Sequence, residues 1–271
     1  MKVIENLIGL YVCSWGNRGA DGGDKKKSNG EIFGESEFLS GKNYFQKENY
    51  TKSFIHFGNA ASKDIVEAFY YLGEHYHRGF GVKKSFERAF KYYEKASYLG
   101  HAVSMERVGL AYHYGKGVLK DNKQAEDWLR KSIDAGNNGT LYKLAMFYYD
   151  KKDYEKAINL LKKSAKKGNK IATYMLGNIY HYGIGELKDH KQALKYYEIV
   201  AKSDLVSQKI KSLYKIANLY LNGEGINLSH KKAKNYLKLL LEDKIFVEIE
   251  DHKEILEKAK KLWDRKEMWK F

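Results

Sequence analysis

Four pairs of glycines in G-x-G spacing have the residue type and position that could hold a phosphate. A glycine loop that leads into a helix can bind an anion through its backbone N–H groups. In this chain the pattern recurs along the sequence and no Gly-Lys-Ser/Thr follows it, whereas a phosphate-binding fingerprint occurs once, after a strand. The glycines therefore predict turns between helices rather than a nucleotide site. The pairs are Gly79/Gly81, Gly115/Gly117, Gly183/Gly185 and Gly223/Gly225.

Three histidines, His77, His113 and His181, stand at the same place in a repeated motif and are metal ligands by type. A zinc ion holds nitrogen ligands at about 2.0–2.1 Å. Packed helices stand about 8–10 Å apart, so a row with one histidine per repeat is too stretched for a single ion. We expect no metal and no cofactor, and the row instead predicts hydrogen-bonding side chains that respond to pH.

Two glutamates and one cysteine are the remaining candidates for catalysis. Glu74 and Glu106 could approach each other across neighbouring helices and act as general acid and base, although charged residues on such helices are usually solvated. Cys13 is the single cysteine, so the chain has no internal disulfide. Because Cys13 lies in an N-terminal segment outside the repeats, we treat it as a candidate for lipidation and expect no catalytic residue.

A sequence repeat positions these residues. Each unit carries L-G-x-x-Y or a close variant, followed by a small residue that anchors the second half of the unit. The anchors are spaced by 36, 36, 32, 36 and 40 residues, and the short spacing belongs to a unit without a G-x-G pair. The anchors are Ser53, Ala89, Ala125, Ala157, Ala193 and Ala233.

Each unit is predicted to be a pair of helices. Residues such as Tyr70, Leu72 and Tyr76 recur at helical spacing in the first helix, and Ala89 and Tyr93 share one face of the second. The small residues allow the two helices to pack closely. Helix ends are predicted by N-caps at Ser85, Asp121, Asp189 and Ser229 and by left-handed glycines at Gly100, Gly136 and Gly168.

The repeated unit resembles the Sel1-like repeat, a relative of the tetratricopeptide repeat. Residues Met105–Gly136 carry its pattern, A-x-x-x-L-G-x-x-Y-x-x-G-x-G-V followed by K-A-x-x-W/Y-x-x-K-A, and residues Tyr174–Ala201 carry it again. The unit at Thr140–Gly168 is more similar to a plain tetratricopeptide repeat. The resemblance implies an all-α protein, an α-solenoid wound as a right-handed superhelix of about six helix pairs, that binds proteins or peptides.

Three segments are expected. Residues 1–34 form a flexible leader, residues 35–244 the solenoid, and residues 245–271 a C-terminal capping helix. The capping helix is indicated by an amphipathic tail, since a terminal repeat leaves an apolar face that needs covering. A helix that lies on a membrane surface is the alternative for this tail. Its apolar residues are Ile255, Leu256, Ala259, Leu262, Trp263, Met268 and Trp269.

The resemblance also implies which residues line the binding groove. In tetratricopeptide-like arrays the first helix of each pair faces the groove, at positions three before, one after and four after the small residue of L-G-x-x-Y. The tyrosines in these rows suit peptide capture, and packing between repeats is the alternative role for them. The groove residues are Tyr70, Glu74, His77, Glu106, His113, Tyr142, Tyr149, Tyr174, Asn178, His181, Tyr214 and Asn218.

The charge balance bears on the choice of partner. The formal net charge is +15, which favours an acidic protein or peptide partner. Nucleic-acid binding is a second hypothesis, but the lysines spread over second helices and loops, so we expect no nucleic acid. A third hypothesis is a β-lactamase-like hydrolase, because such activity is attributed to some secreted relatives. Those relatives have a disulfide in each repeat, and this chain has no such disulfides. The leading expectation is a non-catalytic, monomeric scaffold or adaptor.

The sequence indicates the cellular compartment less clearly than it indicates the fold. No apolar run reaches the roughly 18–20 residues that a membrane-spanning helix needs, so we expect a cytoplasmic protein. Lys2 and the short apolar stretch after it leave open the alternative of a secreted protein or an envelope lipoprotein with a degenerate signal. Glu5 interrupts that stretch, and Tyr11 and Val12 are bulkier than the residues usually found before a cleavage site.

Overall fold

The computed structural model describes residues 28–243, 246 and 252–265, so that Cys13, Met268 and Trp269 lie outside the described residues. These ranges contain thirteen helices and no strand. The helices are α1 (Asn29–Gln46), α2 (Tyr50–Ala61), α3 (Val66–Arg78), α4 (Phe86–Tyr98), α5 (Ala102–Tyr114), α6 (Asn122–Asp134), α7 (Thr140–Asp150), α8 (Tyr154–Lys166), α9 (Lys170–Tyr182), α10 (His190–Ala201), α11 (Val206–Asn222), α12 (His230–Glu242) and α13 (Lys253–Arg265).

The helices form six pairs, α1/α2 to α11/α12, and α13 follows the last pair. Each helix packs against the next along the chain, and α13 packs against both α12 and α11. The core is correspondingly divided into clusters that run along the stack, such as the one that joins Ala145 on α7 to Leu176 on α9. The protein is therefore an all-α solenoid, as the sequence predicts.

The predicted helix ends are confirmed. Asp121 accepts hydrogen bonds from the backbone N–H groups of Lys123 and Gln124 at 2.8 and 3.0 Å, which caps α6. The side chains of Ser85, Asp189 and Ser229 cap α4, α10 and α12 in the same way. The glycine at each predicted left-handed stop, for example Gly136, has a φ near +90°.

The two glycines of each G-x-G pair have different structural roles. Gly115 ends α5 with a left-handed φ of 66°. Gly117, with a φ of 78°, lies so close to the start of α4 that a Cβ atom would overlap the carbonyl of Phe86. This second glycine thus lets the loop contact the second helix of the preceding pair. The same loop contact occurs at Gly81 with Tyr50, at Gly185 with Tyr154 and at Gly225 with His190.

One junction in the stack lacks this loop contact. The turn between α7 and α8 has no G-x-G pair, and its left-handed residue is Lys152, with a φ of 62°. No glycine in the described residues approaches the start of α6 in the way that Gly117 approaches α4. Helices α6 and α7 also have the least extensive contact of any two consecutive pairs in the described chain.

The small residue of L-G-x-x-Y sets the distance between the two helices of a pair. A Cβ on Gly73 would stand 2.5 Å from Cε1 of Tyr93, and a Cβ on Gly177 would stand 2.6 Å from Cε1 of Tyr197. Where this position is alanine, as at Ala145, the residue of the second helix that fills the space is a leucine, Leu161. Glycine on one helix therefore makes room for an aromatic ring on the other.

The structure describes a helix at each end of the solenoid. Helix α1 begins at Asn29, where Ser28 and Glu31 form a capping box, so helix already occupies the end of the segment expected to be a leader. At the other end, α13 places Ala259 in the core, with Leu262 and Trp263 packed beside it. Helix α13 thus covers the last pair.

A Gly177→Ala substitution tests the spacing. Its Cβ would push against the buried ring of Tyr197, and overpacking of this kind costs about 1–3 kcal/mol. We expect a lower free energy of unfolding in urea, measured by circular dichroism. Gly58→Ala is the matched control, because a Cβ at this α2 residue meets nothing within 4 Å and alanine favours a helix.

The spacing also predicts a partial rescue. Adding Tyr197→Leu to Gly177→Ala recreates the alanine–leucine combination of Ala145 and Leu161, so the two changes together should cost less than their sum by about 1 kcal/mol. Strictly additive effects would show that the ring does not set the helix separation.

Candidate functional site

All twelve residues expected in the groove lie on first helices. They are half-buried except for Glu74, Glu106 and His113, which are buried. By helix they are Tyr70, Glu74 and His77 on α3, Glu106 and His113 on α5, Tyr142 and Tyr149 on α7, Tyr174, Asn178 and His181 on α9, and Tyr214 and Asn218 on α11.

Glu74 is held inside the stack by three neighbours. The carboxylate accepts hydrogen bonds from the Tyr93 hydroxyl at 2.7 Å and from Nε of Arg78 at 2.9 Å. Nε of Arg107, on the next first helix, lies 3.1 Å from it. Burial raises the pKa of Glu74, but Arg107 and the two hydrogen bonds outweigh burial, so the net pKa is lowered. The ionised carboxylate thus joins two successive pairs.

Glu106 has a separate set of partners. Its carboxylate accepts hydrogen bonds from Oγ1 of Thr140 at 2.8 Å and from Nδ2 of Asn137 at 3.3 Å. The two glutamates considered as an acid–base pair are therefore engaged in different inter-helix contacts, one on each side of α5. In this arrangement both contribute to packing between pairs.

Two of the tyrosines contact the core side of their own pairs. The ring of Tyr70 lies 6.0 Å from that of Tyr93, and burial, reinforced by Glu74, raises the pKa of Tyr70 to about 12. The ring of Tyr174 lies 5.8 Å from that of Tyr197. Asn178 accepts a 2.8 Å hydrogen bond from the Tyr197 hydroxyl, which matches the role of Glu74 with Tyr93.

The histidine row is spread along the stack. His77 contacts the ring of Phe86 at 5.2 Å, and Nε2 of His113 lies 3.3 Å from a carboxylate oxygen of Asp150. His181 lies 5.2 Å from the ring of His190. Within the described ranges, no group of three His, Cys, Asp or Glu side chains is close enough to hold a metal ion.

Three of the expected residues meet at one pocket between the first helices α9 and α11, which contact each other directly. The α9–α11 pocket has a volume of about 260 Å³. Its lining is mainly polar and includes both hydrogen-bond donors and a carboxylate. The lining residues are His181, Tyr214, Lys215, Asn218, Leu219, Asn222 and Glu224.

The rim of the α9–α11 pocket contains an aromatic residue that sequence reasoning missed. Tyr182, the last residue of α9, is 53% exposed. The ammonium group of Lys215 donates to the Tyr182 hydroxyl and stands 4.8 Å above the centre of its ring. An equivalent residue, Tyr114 at the end of α5, is 57% exposed. A signal was available, because tyrosine follows His113 and His181 in both units.

Comparison with known proteins identifies the repeat. The Sel1 repeat family model matches residues 66–101 and 210–242, which include α3 and α4 and most of α11 and α12. A model of plant tetratricopeptide repeats matches residues 112–217. The chain therefore contains Sel1-like and tetratricopeptide-like repeats.

Solved structures share the fold, and a curated relative matches part of the chain. A Sel1 repeat protein from Oxalobacter formigenes has a TM-score of 0.65 at 22% identity, over 84% of this chain and 99% of that one. A protective antigen of uropathogenic Escherichia coli with an SLR fold has a TM-score of 0.57 at 20% identity, and the match covers 77% of this chain and 53% of that one. A sel1-like repeat-containing protein of Acanthamoeba polyphaga mimivirus is 32% identical over 101 residues, or 37% of this chain. The match spans only 18% of that relative's length.

The Sel1-like chain contains no helix, in its described part, with the length and apolar character needed to cross a membrane.

The environment of His181 predicts how the chain responds to acid. Burial, with Lys215 and His190 nearby, lowers the pKa of His181 to about 4, against the opposing effect of Glu224. Between pH 6.5 and 4 the unfolded chain therefore binds a proton that the folded chain does not, and stability contributed by neutral His181 is lost as the pH falls through this window. Above pH 6.5 this group has no effect.

We expect the ring protons of His181 to titrate near pH 4 in NMR spectra, with the signal assigned by its absence in His181→Asn. The His181→Asn protein should lose less stability than the wild type between pH 7 and pH 5, by about 1 kcal/mol after allowance for partial solvent exposure. A titration midpoint at or above 6.5 would contradict the described environment.

Proposed function

We propose that this Sel1-like protein is a non-catalytic scaffold or adaptor that binds a protein or peptide along the face formed by its first helices. The observation that carries the proposal is the α9–α11 pocket, in which His181, Tyr214 and Asn218 from two successive pairs meet. Solenoids present an extended surface of this kind because each repeat contacts mainly its neighbours. A partner segment that lies along the stack would cross several first helices.

The chemistry of this face supports a protein ligand. Tyrosine combines a large, rigid contact area with a polar tip, and it is enriched where proteins bind each other. Tyr182 and Tyr114 are more than half exposed, whereas Glu74 and Glu106 are buried within the stack. We therefore assign partner contact to the exposed tyrosines and the pocket, and inter-pair packing to the two glutamates.

The charge of the face supports an acidic partner. Lys215 packs on Tyr182, and no carboxylate in the described chain forms an ion pair with it. Glu224 is the one acidic residue that lines the pocket, and it faces His190 at 3.8 Å and Asn222 at 3.3 Å. A carboxylate of the partner could therefore pair with Lys215 and accept hydrogen bonds from neighbouring amides.

The remaining elements of the proposal follow from this mode of binding. Contact through one face of a stack needs no metal, cofactor or second copy, so we propose that the protein acts as a monomer. A single cysteine requires no oxidising compartment, and we place the interaction in the cytoplasm.

Selection of peptides from a displayed random library against the full-length chain tests this function. We expect enrichment of acidic peptides, because no carboxylate of the described chain forms an ion pair with Lys215 at the pocket. Binding of a selected peptide, measured by fluorescence anisotropy, should weaken at least about tenfold in Tyr182→Ala/Lys215→Ala, which removes a stacked aromatic and a charge contact. It should also weaken as salt is raised.

Leu187→Ala is the control, since Leu187 is 89% exposed in the loop after α9 and outside the pocket lining. The Leu187→Ala protein should bind the selected peptide with the same affinity as the wild type. If no peptide is selected, or if the double variant binds a selected peptide as tightly as the wild type does, the assignment of partner contact to this face is contradicted.

A further inference from the structure

The second helices of the pairs form a face of their own. Successive second helices contact each other, since the ring of Tyr98 on α4 lies 5.5 Å from that of Trp128 on α6, and the Tyr236 hydroxyl on α12 donates to Glu198 on α10 at 3.4 Å. We call the exposed side of α2, α4, α6, α8, α10 and α12 the second-helix face. The twelve groove residues all belong to first helices and lie outside it.

Positive charge is concentrated in the last three second helices. Helices α8, α10 and α12 together contain ten lysines and three glutamates. Helices α2, α4 and α6 contain seven lysines and arginines and five acidic residues. Nine of the ten lysines are exposed. This half of the second-helix face therefore attracts negative charge.

A pocket opens in the basic half of the face, between α10 and α12, and has a volume of about 450 Å³. Leu213 of α11 and Leu239 of α12 line it, and so do Tyr220 and Tyr236. The two tyrosine rings are stacked, with their centres 6.0 Å apart. Leu239 is 59% exposed. The α10–α12 pocket thus offers a mainly apolar interior that is open to solvent.

Charged side chains surround this interior. Lys202 and Lys232 are exposed, and within the described chain neither forms an ion pair with a carboxylate. The ammonium group of Lys232 stands 5.0 Å from the centre of the Tyr220 ring. Glu198 is the one acidic residue of the lining, and its carboxylate accepts the hydrogen bond from Tyr236. The rim of the pocket therefore has an excess of positive charge around an apolar site.

The equivalent groove between α4 and α6 shows why this pocket is open. There Trp128 is 5% exposed and packs in a core cluster, with the ring of Tyr98 against it. Counted from the anchor alanines, the same two positions of the last groove hold Tyr236 and Lys202. A smaller ring and a flexible lysine replace the indole and the tyrosine, and they leave the volume between α10 and α12 unfilled.

We propose that the α10–α12 pocket binds an apolar side chain, such as phenylalanine or leucine, from a segment of a partner protein in which acidic residues flank that side chain. The apolar interior takes the side chain, and Lys202 and Lys232 pair with the flanking carboxylates. The other lysines of α8, α10 and α12 extend the charge complementarity beyond the pocket, which favours a segment of several residues. A bilayer is less well matched, because the apolar lining is recessed between two helices.

The α10–α12 pocket shares no lining residue with the α9–α11 pocket. The inference is therefore independent of the function proposed for the first-helix face. A scaffold with a site on each face would hold two partners at once.

Binding of three pentapeptides to the intact 271-residue protein, followed by NMR, tests this site. The probe is Glu-Glu-Phe-Glu-Glu with blocked ends, and a second peptide has alanine in place of phenylalanine. We expect the probe to shift the backbone amide signals of Leu213, Tyr236 and Leu239. It should bind at least about tenfold more tightly than the alanine peptide, because its ring is removed from water. The third peptide, with lysine in place of glutamate, should shift none of these signals.

A filled groove tests the location of the contact. Lys202→Tyr/Tyr236→Trp gives the last groove the combination of Tyr98 and Trp128, and it should bind the probe at least about tenfold more weakly. Lys166→Tyr is the matched control, since Lys166 holds the place of Lys202 on α8 and lies outside the pocket lining. Its affinity for the probe should stay within about twofold of the wild type. Circular dichroism will verify that each variant is folded.

A second variant keeps the groove open and removes the charge of its rim. Lys202→Ala/Lys232→Ala should bind the probe about tenfold more weakly than the wild type, and the difference should shrink as salt is raised. Both lysines are exposed, so this variant remains informative if the filled groove destabilises the chain.

Equal binding of the phenylalanine and alanine peptides would overturn the proposal, as would equal binding of the probe by the wild type and by both double variants. Loss of probe binding in Tyr182→Ala/Lys215→Ala would also overturn it, because the peptide would then occupy the first-helix face. Failure of that face to bind any peptide leaves the result for the α10–α12 pocket unchanged, so the two proposals fail separately.

Co-sedimentation with vesicles of phosphatidylserine and phosphatidylcholine tests the other occupant. We expect no difference between the wild type and Lys202→Tyr/Tyr236→Trp in this measurement. Vesicle binding that either double variant of the pocket abolishes, without binding of the probe, would overturn the proposal in favour of an anionic bilayer.

Discussion

The close approach of two helices at one small residue is the constraint on which the rest of this solenoid depends. Where the first helix has glycine, an aromatic ring of the second helix generally lies against it, and where it has alanine the partner is leucine. Gly109 faces Leu129 instead, but its missing Cβ would also stand 3.1 Å from the carbonyl oxygen of Ala125. The glycine combinations are Gly41/Phe57, Gly73/Tyr93 and Gly177/Tyr197, and the alanine combinations are Ala145/Leu161 and Ala217/Leu237.

This constraint also shapes the face that we assign to a partner. When the intruding ring is a tyrosine, its hydroxyl emerges beside the next residue of the first helix, and that residue is an acceptor. Glu74 receives the hydroxyl of Tyr93, and Asn178 receives that of Tyr197. Burial without such an acceptor would be costly. Part of the first-helix surface is thus committed to packing within the pair, and the remainder is available for binding.

Sequence reasoning gives the fold in some detail because the signals are local and repeated. Caps such as Asp121, stops such as Gly136 and the spacing of the anchors each act within a few residues of one another. The roles of Glu74 and Asn178 were missed because the residue that decides them lies about twenty positions later, on the second helix. The α9–α11 pocket depends on the separation of two units and on the 17-residue length of α11. Neither quantity can be predicted from a local sequence pattern.

The junction between α6 and α7 has a mechanical consequence. Each loop with two glycines contacts the preceding pair, whereas the short turn at Lys152 has no glycine, and in the described residues no loop glycine approaches the start of α6. Side chains join the two pairs at this junction instead: Thr140 donates a hydrogen bond to Glu106 at 2.8 Å, and Arg130 donates one to the Tyr148 hydroxyl at 2.7 Å. Force along the stack is therefore carried at this junction by side chains, whereas at the other junctions a backbone loop shares it.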